Sequence, residues 1–121
     1  MPRSSATGPR RADSEGVSPS QAVLVRSLTE AQLQRHVVAL AETLGWLCYH
    51  THDSRRSNAG FPDLIALRLG SMVVIEFKSE QGKVTSEQAR WLREFSLVTF
   101  GFVGVIRPSD WYAGRVDEVL R

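Results

Sequence analysis

GFPDL at Gly60 to Leu64, followed by VVIEFKSEQGK at Val73 to Lys83, decides how this chain folds. Met72 to Phe77 is apolar and rich in β-branched residues, the composition of a buried strand. Side chains alternate along a strand, so Glu76 and Lys78 leave one face while Val73, Ile75 and Phe77 leave the other. Two opposite charges therefore emerge side by side from a hydrophobic strand. Asp63 heads a second strand, Leu64 to Leu67, and the connection through Arg68, Leu69, Gly70 and Ser71 is short enough to be a hairpin. That hairpin brings Asp63, Glu76 and Lys78 together. Pro62 fixes its own φ and keeps Phe61 extended, and Gly60 permits a tight approach, so Asp63 is delivered in a defined direction.

Outward from this hairpin the pattern alternates between helix and strand. Leu33, Val37, Leu40 and Leu44 form a helical stripe over Glu30 to Leu44, with Gly45 placed as its stop. Two overlapping capping patterns mark its start, Ser27 with Glu30 and Thr29 with Gln32. Trp46 to Thr51 reads as a strand with Cys48 as a small buried residue, and His52 to Gly60 as a polar loop. After a loop over Ser79 to Thr85, the Thr85 and Gln88 capping pattern opens a second helix carrying Gln88, Trp91, Leu92, Phe95 and Val98, closed by Gly101. Phe102 to Ile106 is a last strand, and Pro108, Ser109 and Asp110 turn the chain into a short helical segment at Asp117 to Leu120. The order is αβββαβ, an α/β fold. At this spacing Trp46, Trp91 and Phe95 read as core packing and not as a platform for stacking bases.

A chain of 121 residues and 13.5 kDa fits one domain. Its net charge of +2 resides in residues 1–26, where Arg3, Arg10, Arg11 and Arg26 face only Asp13 and Glu15; residues 27–121 are balanced. The first stretch is rich in Ser, Pro, Gly and Arg and reads as a disordered basic tail, which solubilises the domain or attracts phosphates without regard to sequence. It holds no apolar run suited to a signal peptide or a membrane span, and Cys48 is the sole cysteine, so a reducing, cytoplasmic setting is expected. A phosphate-binding glycine loop, a Walker lysine and a Ser-His-Asp arrangement are all missing, which argues against ATP dependence and against serine hydrolase chemistry.

Asp63 and Glu76 on neighbouring strands supply the hard oxygen ligands that Mg²⁺ prefers, and Mg²⁺ keeps several waters of its own. A bound cation of this kind activates water and offsets charge on a phosphate. Lys78 beside them either stabilises transition-state charge and orients the attacking water or acts as a base. An isolated E-x-K has a plainer reading, a surface ion pair; the GFPD flank is what favours chemistry. Arg55 and Arg56 just before GFPD, and Lys83 after the strand, are placed to contact phosphates if their loops border the site. His50 and His52 lack a further ligand at zinc spacing.

NAGFPDLIAL and VVIEFKSEQGKVTSEQARWL together resemble the VRR-NUC domain, a member of the PD-(D/E)xK nuclease superfamily related to Holliday junction resolvases. The resemblance spans roughly Thr29 to Pro108 and implies a restriction-endonuclease-like core, a mixed central sheet flanked by helices, over residues 27–121. It implies Asp63 and Glu76 as metal ligands, the Phe77 carbonyl as a further ligand and Lys78 as the catalytic lysine. It also places an acidic residue on the first helix, for which Glu30 is the candidate, and a glutamine at the position of Gln88. Glu30 extends the inward stripe, although a first-turn Glu is also favourable as a cap; Gln88 likewise either orients a site group or caps its helix. Gln34, one turn beyond Glu30, reads as a polar boundary residue.

The function this implies is a Mg²⁺- or Mn²⁺-dependent DNA endonuclease acting on branched DNA, with a Holliday junction as the leading substrate. A homodimer is expected with it, because a symmetric junction needs two cuts and a two-fold dimer supplies two sites. The rivals are a nuclease of broader duplex specificity and a catalytically silent DNA-binding subunit of the same fold.

Overall fold

The structure, a computed structural model, describes residues 16–51, 58–98 and 101–121. A single turn of 3₁₀ helix at Pro19–Gln21 leads into α1 (Ala22–Ser27) and α2 (Glu30–Thr43). There follow β1 (Leu47–His50), β2 (Leu64–Arg68), β3 (Ser71–Phe77), α3 (Ser86–Val98), β4 (Val103–Ile106), α4 (Pro108–Tyr112) and α5 (Arg115–Leu120). The four strands form one mixed sheet in the order β1-β2-β3-β4, antiparallel across the first two pairs and parallel across β3 and β4. The expected αβββαβ order is present as α2 to β4.

The hairpin forms as its sequence requires. Leu64 pairs with Ile75 and Arg68 with Ser71, leaving Leu69 and Gly70 as the turn. Both have positive φ, 49° and 87°, the type I′ geometry whose twist suits a two-residue hairpin. Gly70 adopts this without cost, whereas Leu69 does so with its side chain fully exposed.

Strand alternation sorts the side chains into two cores. Val73, Ile75 and Phe77, with Leu64 and Ala66, pack under α2 (Leu33, Val37, Ala41) and α5 (Val116, Leu120). On the opposite face Val74 and Val105 pack against Leu92 of α3. Glu76 and Lys78 continue the row of Val74, so they lie on the side of the sheet that α3 covers. Among the described residues the main core holds thirteen buried residues and dominates the apolar burial. At about 25 cal/mol per Å² of buried apolar surface, it supplies the principal stabilising term.

Several boundaries differ from expectation. The tail drawn to residue 26 is helical from Pro19 onward: Ser18 and Gln21 make a capping box around Pro19, and Val25 of α1 is buried, with α1 lying against α4. Six helical residues are unstable alone and form here because they pack. Residues 1–15 lie outside the described residues. The turn expected at Pro108 is a helix, closed by the Asp110 carboxylate accepting from the Arg107 amide at 2.8 Å. Cys48 is half-buried and not fully buried because β1 is an edge strand; burial raises its thiol pKa, with Glu42 adding to the effect. Among the described residues no helix is long and apolar enough to cross a membrane.

Because the Leu69 side chain contacts only solvent, Leu69→Asn removes left-handed strain and costs no packing. It is expected to raise stability by roughly 0.5–1 kcal/mol. Urea unfolding checks this, and a lower midpoint at unchanged slope contradicts the turn geometry.

Candidate active site

The site lies where β2 begins and β3 ends. Extending the hairpin register by one residue sets Asp63 opposite Glu76, on the same face. Asp63 Oδ2 accepts from the Phe77 amide at 2.9 Å, which fixes the carboxylate against β3, while the Asp63 carbonyl accepts from the Thr51 amide at 3.1 Å. Lys78 follows, its amide bonded to the Ile106 carbonyl of β4 at 3.2 Å and its Nζ 3.9 Å from Glu76 Oε2. Glu76 is 3 % exposed and Lys78 9 %. The three residues singled out by spacing are therefore together, Glu76 and Lys78 buried and Asp63 half-buried.

GFPD reaches this position by docking on α3. Gly60 has φ 83°, and a Cβ there would lie 2.5 Å from the Glu87 carbonyl carbon and 2.7 Å from the Gln88 nitrogen. Only glycine allows the loop so close to the first turn of α3. Phe61 meets the Trp91 ring edge-on at 5.0 Å, and Trp91 Nε1 donates to the Ala59 carbonyl at 3.0 Å. Trp91 and Phe95 are packing residues, as their spacing predicts, and what they hold is the loop bearing Asp63.

Gln88 both caps α3 and touches Glu76. Its amide donates to Thr85 Oγ1 at 3.1 Å and its Oε1 accepts from the Thr85 amide at 2.9 Å, while Nε2 donates to Glu76 Oε2 at 2.9 Å. For α2, the capping box is Thr29 with Gln32, and Ser27 instead donates to the Leu24 carbonyl. Glu30 is thereby spared from capping. Its Oε2 accepts from the Ser79 amide at 3.4 Å, just past Lys78, and its charge acts on both Asp63 and Glu76. Lys83 is exposed in the loop before α3. Arg55, Arg56 and His52 lie outside the described residues, and half-buried His50 ends β1.

Burial governs the ionisation of the pair first, with the charge of Glu30 adding at Asp63 and that of Asp63 adding at Glu76. Asp63 is raised by desolvation, opposed by its bond to the Phe77 amide. Glu76 is raised from 4.5 to about 8, by desolvation first and then by the charge of Asp63, with Lys78 opposing. Oε1 of Glu76 is buried with no hydrogen-bond partner.

Among the described residues no three His, Cys, Asp or Glu side chains form a metal cage by themselves. Two adjacent carboxylates nevertheless match the way Mg²⁺ binds, through one or two carboxylates with water in the remaining positions. The buried, unpartnered Glu76 Oε1 and the desolvation that raises both pKa values, with repulsion from neighbouring carboxylates added, fit a divalent cation at this point.

Sequence reasoning missed the polar group beside the site. Arg107, Asp110 and Glu80 bind the turn after Lys78 to the start of α4. The run Arg-Pro-Ser-Asp signals a turn, but nothing in it indicates that the arginine is 8 % exposed.

A mixed α/β sheet with paired carboxylates and a lysine at the end of a central strand is compatible with a nuclease-like core. The VRR-NUC domain model matches residues 9–103, and the chain belongs to that family, which makes it a nuclease domain acting on DNA. No curated protein and no solved structure matches it.

The raised Glu76 pKa has a sign. The unfolded carboxylate loses its proton near 4.5 and the folded one near 8, so cation-free protein is expected to lose stability as pH rises between these values. Glu76→Gln should flatten that slope. Urea unfolding in EDTA from pH 4.5 to 8 measures it, and equal slopes for both proteins would remove Glu76 as the cause.

Proposed function

We propose that the protein is a divalent-cation-dependent DNA endonuclease that hydrolyses phosphodiester bonds in branched DNA, with a four-way junction as its preferred substrate and a homodimer as its working form. The observation that carries the chemistry is the adjacency of Asp63 and Glu76, with Lys78 Nζ 3.9 Å from Glu76 Oε2 at the end of a buried strand.

Asp63 and Glu76 would hold Mg²⁺ or Mn²⁺, with the Phe77 carbonyl as a further ligand, and the cation supplies activation of water and charge stabilisation at phosphorus. The Phe77 amide bond fixes Asp63, and the Gln88 bond to Oε2 orients Glu76. Lys78 meets the negative charge that develops on the phosphate oxygens, from a wall dry enough for a single positive charge to count. Glu30, at the rim beside Ser79, is placed to position a water or extend the carboxylate set. Selectivity for branched DNA is supported by charge: residues 27–121 are balanced, so general attraction to duplex is weak and recognition rests on shape and paired sites.

Asp63→Ala, Glu76→Ala and Lys78→Ala are each expected to abolish cleavage in folded protein. Calorimetric titration with Mn²⁺ separates the roles: either carboxylate change weakens binding, and Lys78→Ala leaves it largely intact. Wild-type turnover by any one of the three discards this site.

A four-way junction should be cut in preference to linear duplex of equal length, by a dimer in sedimentation, and the preference should outlast total affinity as salt rises. A monomer that cuts both alike across the salt series leaves a general nuclease in place of a resolvase.

A further inference from the structure

The turn that follows Lys78 is held by a buried arginine at the end of the neighbouring strand, β4. Arg107 follows β4, and its Nη1 approaches three carbonyl oxygens: Ser79 at 2.9 Å, Glu80 at 3.2 Å and Gly82 at 2.8 Å. The Gly82 amide donates to the Ser79 carbonyl at 3.1 Å, closing the turn within this grip. Arg107 is itself fixed, since its amide donates to Asp110 Oδ2 at 2.8 Å and Arg115 Nε pairs with Asp110 Oδ1 at 2.6 Å. A return contact runs from the Ser109 amide to Glu80 Oε1 at 3.0 Å. The turn and the start of α4 are thus braced in both directions.

This turn touches the site twice. A Cβ on Gly82 would lie 3.4 Å from Lys78 Cδ, so the turn folds back along the lysine stem. The Ser79 amide, whose residue's carbonyl Arg107 grips, faces Glu30 Oε2. Lysine is a point charge on a flexible four-carbon stem, so the backbone packed against that stem decides where its ammonium stands. All three carbonyls share the two N–H bonds of the one Nη1, and the rigid plane of the guanidinium fixes where that nitrogen stands.

We propose that Arg107 is a positioning residue for phosphodiester cleavage: by gripping the turn over residues 79–82, it holds the Lys78 stem beside Glu76 and the Ser79 amide beside Glu30. The role rests on the nuclease reading above. It falls in a part of the chain beyond residues 9–103, the stretch that matches the family.

The test uses full-length Arg107→Lys and Arg107→Ala proteins, with Mn²⁺ and a four-way junction for kinetics. Amide hydrogen exchange at Gly82 is followed separately, without metal or DNA. In folded Arg107→Ala, kcat should fall about 10- to 100-fold with KM changed less than about twofold, since the geometry at the reacting centre is lost and DNA binding is not. Gly82 exchange should quicken about tenfold or more, and Arg107→Lys should fall between wild type and Arg107→Ala in both readouts. Added guanidinium ion should restore part of the turnover of Arg107→Ala and none to Lys78→Ala. Should Arg107→Ala not fold, Arg107→Lys decides on the same two readouts. A folded variant with wild-type kcat overturns the proposal, as does a kcat loss fully accounted for by the unfolded fraction or unaltered Gly82 exchange. Wild-type protein that cuts no more than Asp63→Ala removes the nuclease reading instead, and the exchange result still shows whether Arg107 grips the turn.

Discussion

The register of the β2–β3 hairpin is the constraint on which the rest of the molecule depends. Leu64 against Ile75 and Ala66 against Val73 put one set of apolar side chains under α2, and the same pairing carries Asp63 to Glu76. A slip of one residue would turn Phe77 and Ile75 outward and bury Glu76 in the main core, so hydrophobic burial enforces the geometry of the carboxylates. The turn at Leu69 and Gly70 closes the hairpin in this register despite the strain at a non-glycine residue. Apolar pairing therefore outweighs the local cost, and the functional side chains inherit their placement from packing.

The second support is α3, which both completes the sheet and faces the site. It covers Val74 and Val105 through Leu92, receives the GFPD loop at Gly60, and extends Gln88 to Glu76. One helix start thus satisfies its own amides through Thr85 and Gln88 and still leaves the Gln88 Nε2 for the carboxylate. At Glu30 the division of labour is similar: Thr29 and Gln32 do the capping, so an acidic residue in the first turn remains available. Capping pattern and functional residue overlap in sequence, and the hydrogen bonds separate them.

What was legible in the chain follows from how local each feature is. The strands around Asp63 and Glu76, the hairpin and the two capped helices depend on alternation, turn chemistry and helical spacing within a few residues, and they stand close to where those patterns put them. Val25 is different: α1 is too short to declare itself and exists because it lies against α4, distant in sequence. Arg107 is different for the same reason. Its three carbonyl partners are 25 to 28 residues away, and an arginine before a proline carries no local sign of burial. Whether Glu30 capped or faced the site turned on Thr29, a competition that pattern alone left open.

The electrostatics of the site explain why a lysine by itself does not complete it. Two carboxylates and one ammonium share a largely dry wall, and Lys78 reaches Glu76 at 3.9 Å, an ion pair too long for a strong hydrogen bond. Glu76 Oε2 is served by Gln88, but Oε1 has no partner, and a buried acceptor left unmade costs about 1–3 kcal/mol. The fold accepts this cost because the apolar pairing of β2 and β3 leaves Glu76 nowhere else to go. Lys78 offsets part of the negative charge without cancelling it, and its stem lies along the adjoining turn at Gly82. Under the proposed function, such a wall would take a divalent cation on its carboxylate side and a phosphate on its lysine side. Neither role would follow from Asp63, Glu76 or Lys78 taken singly; both depend on one register that buries Glu76 and Lys78 and sets half-buried Asp63 beside them.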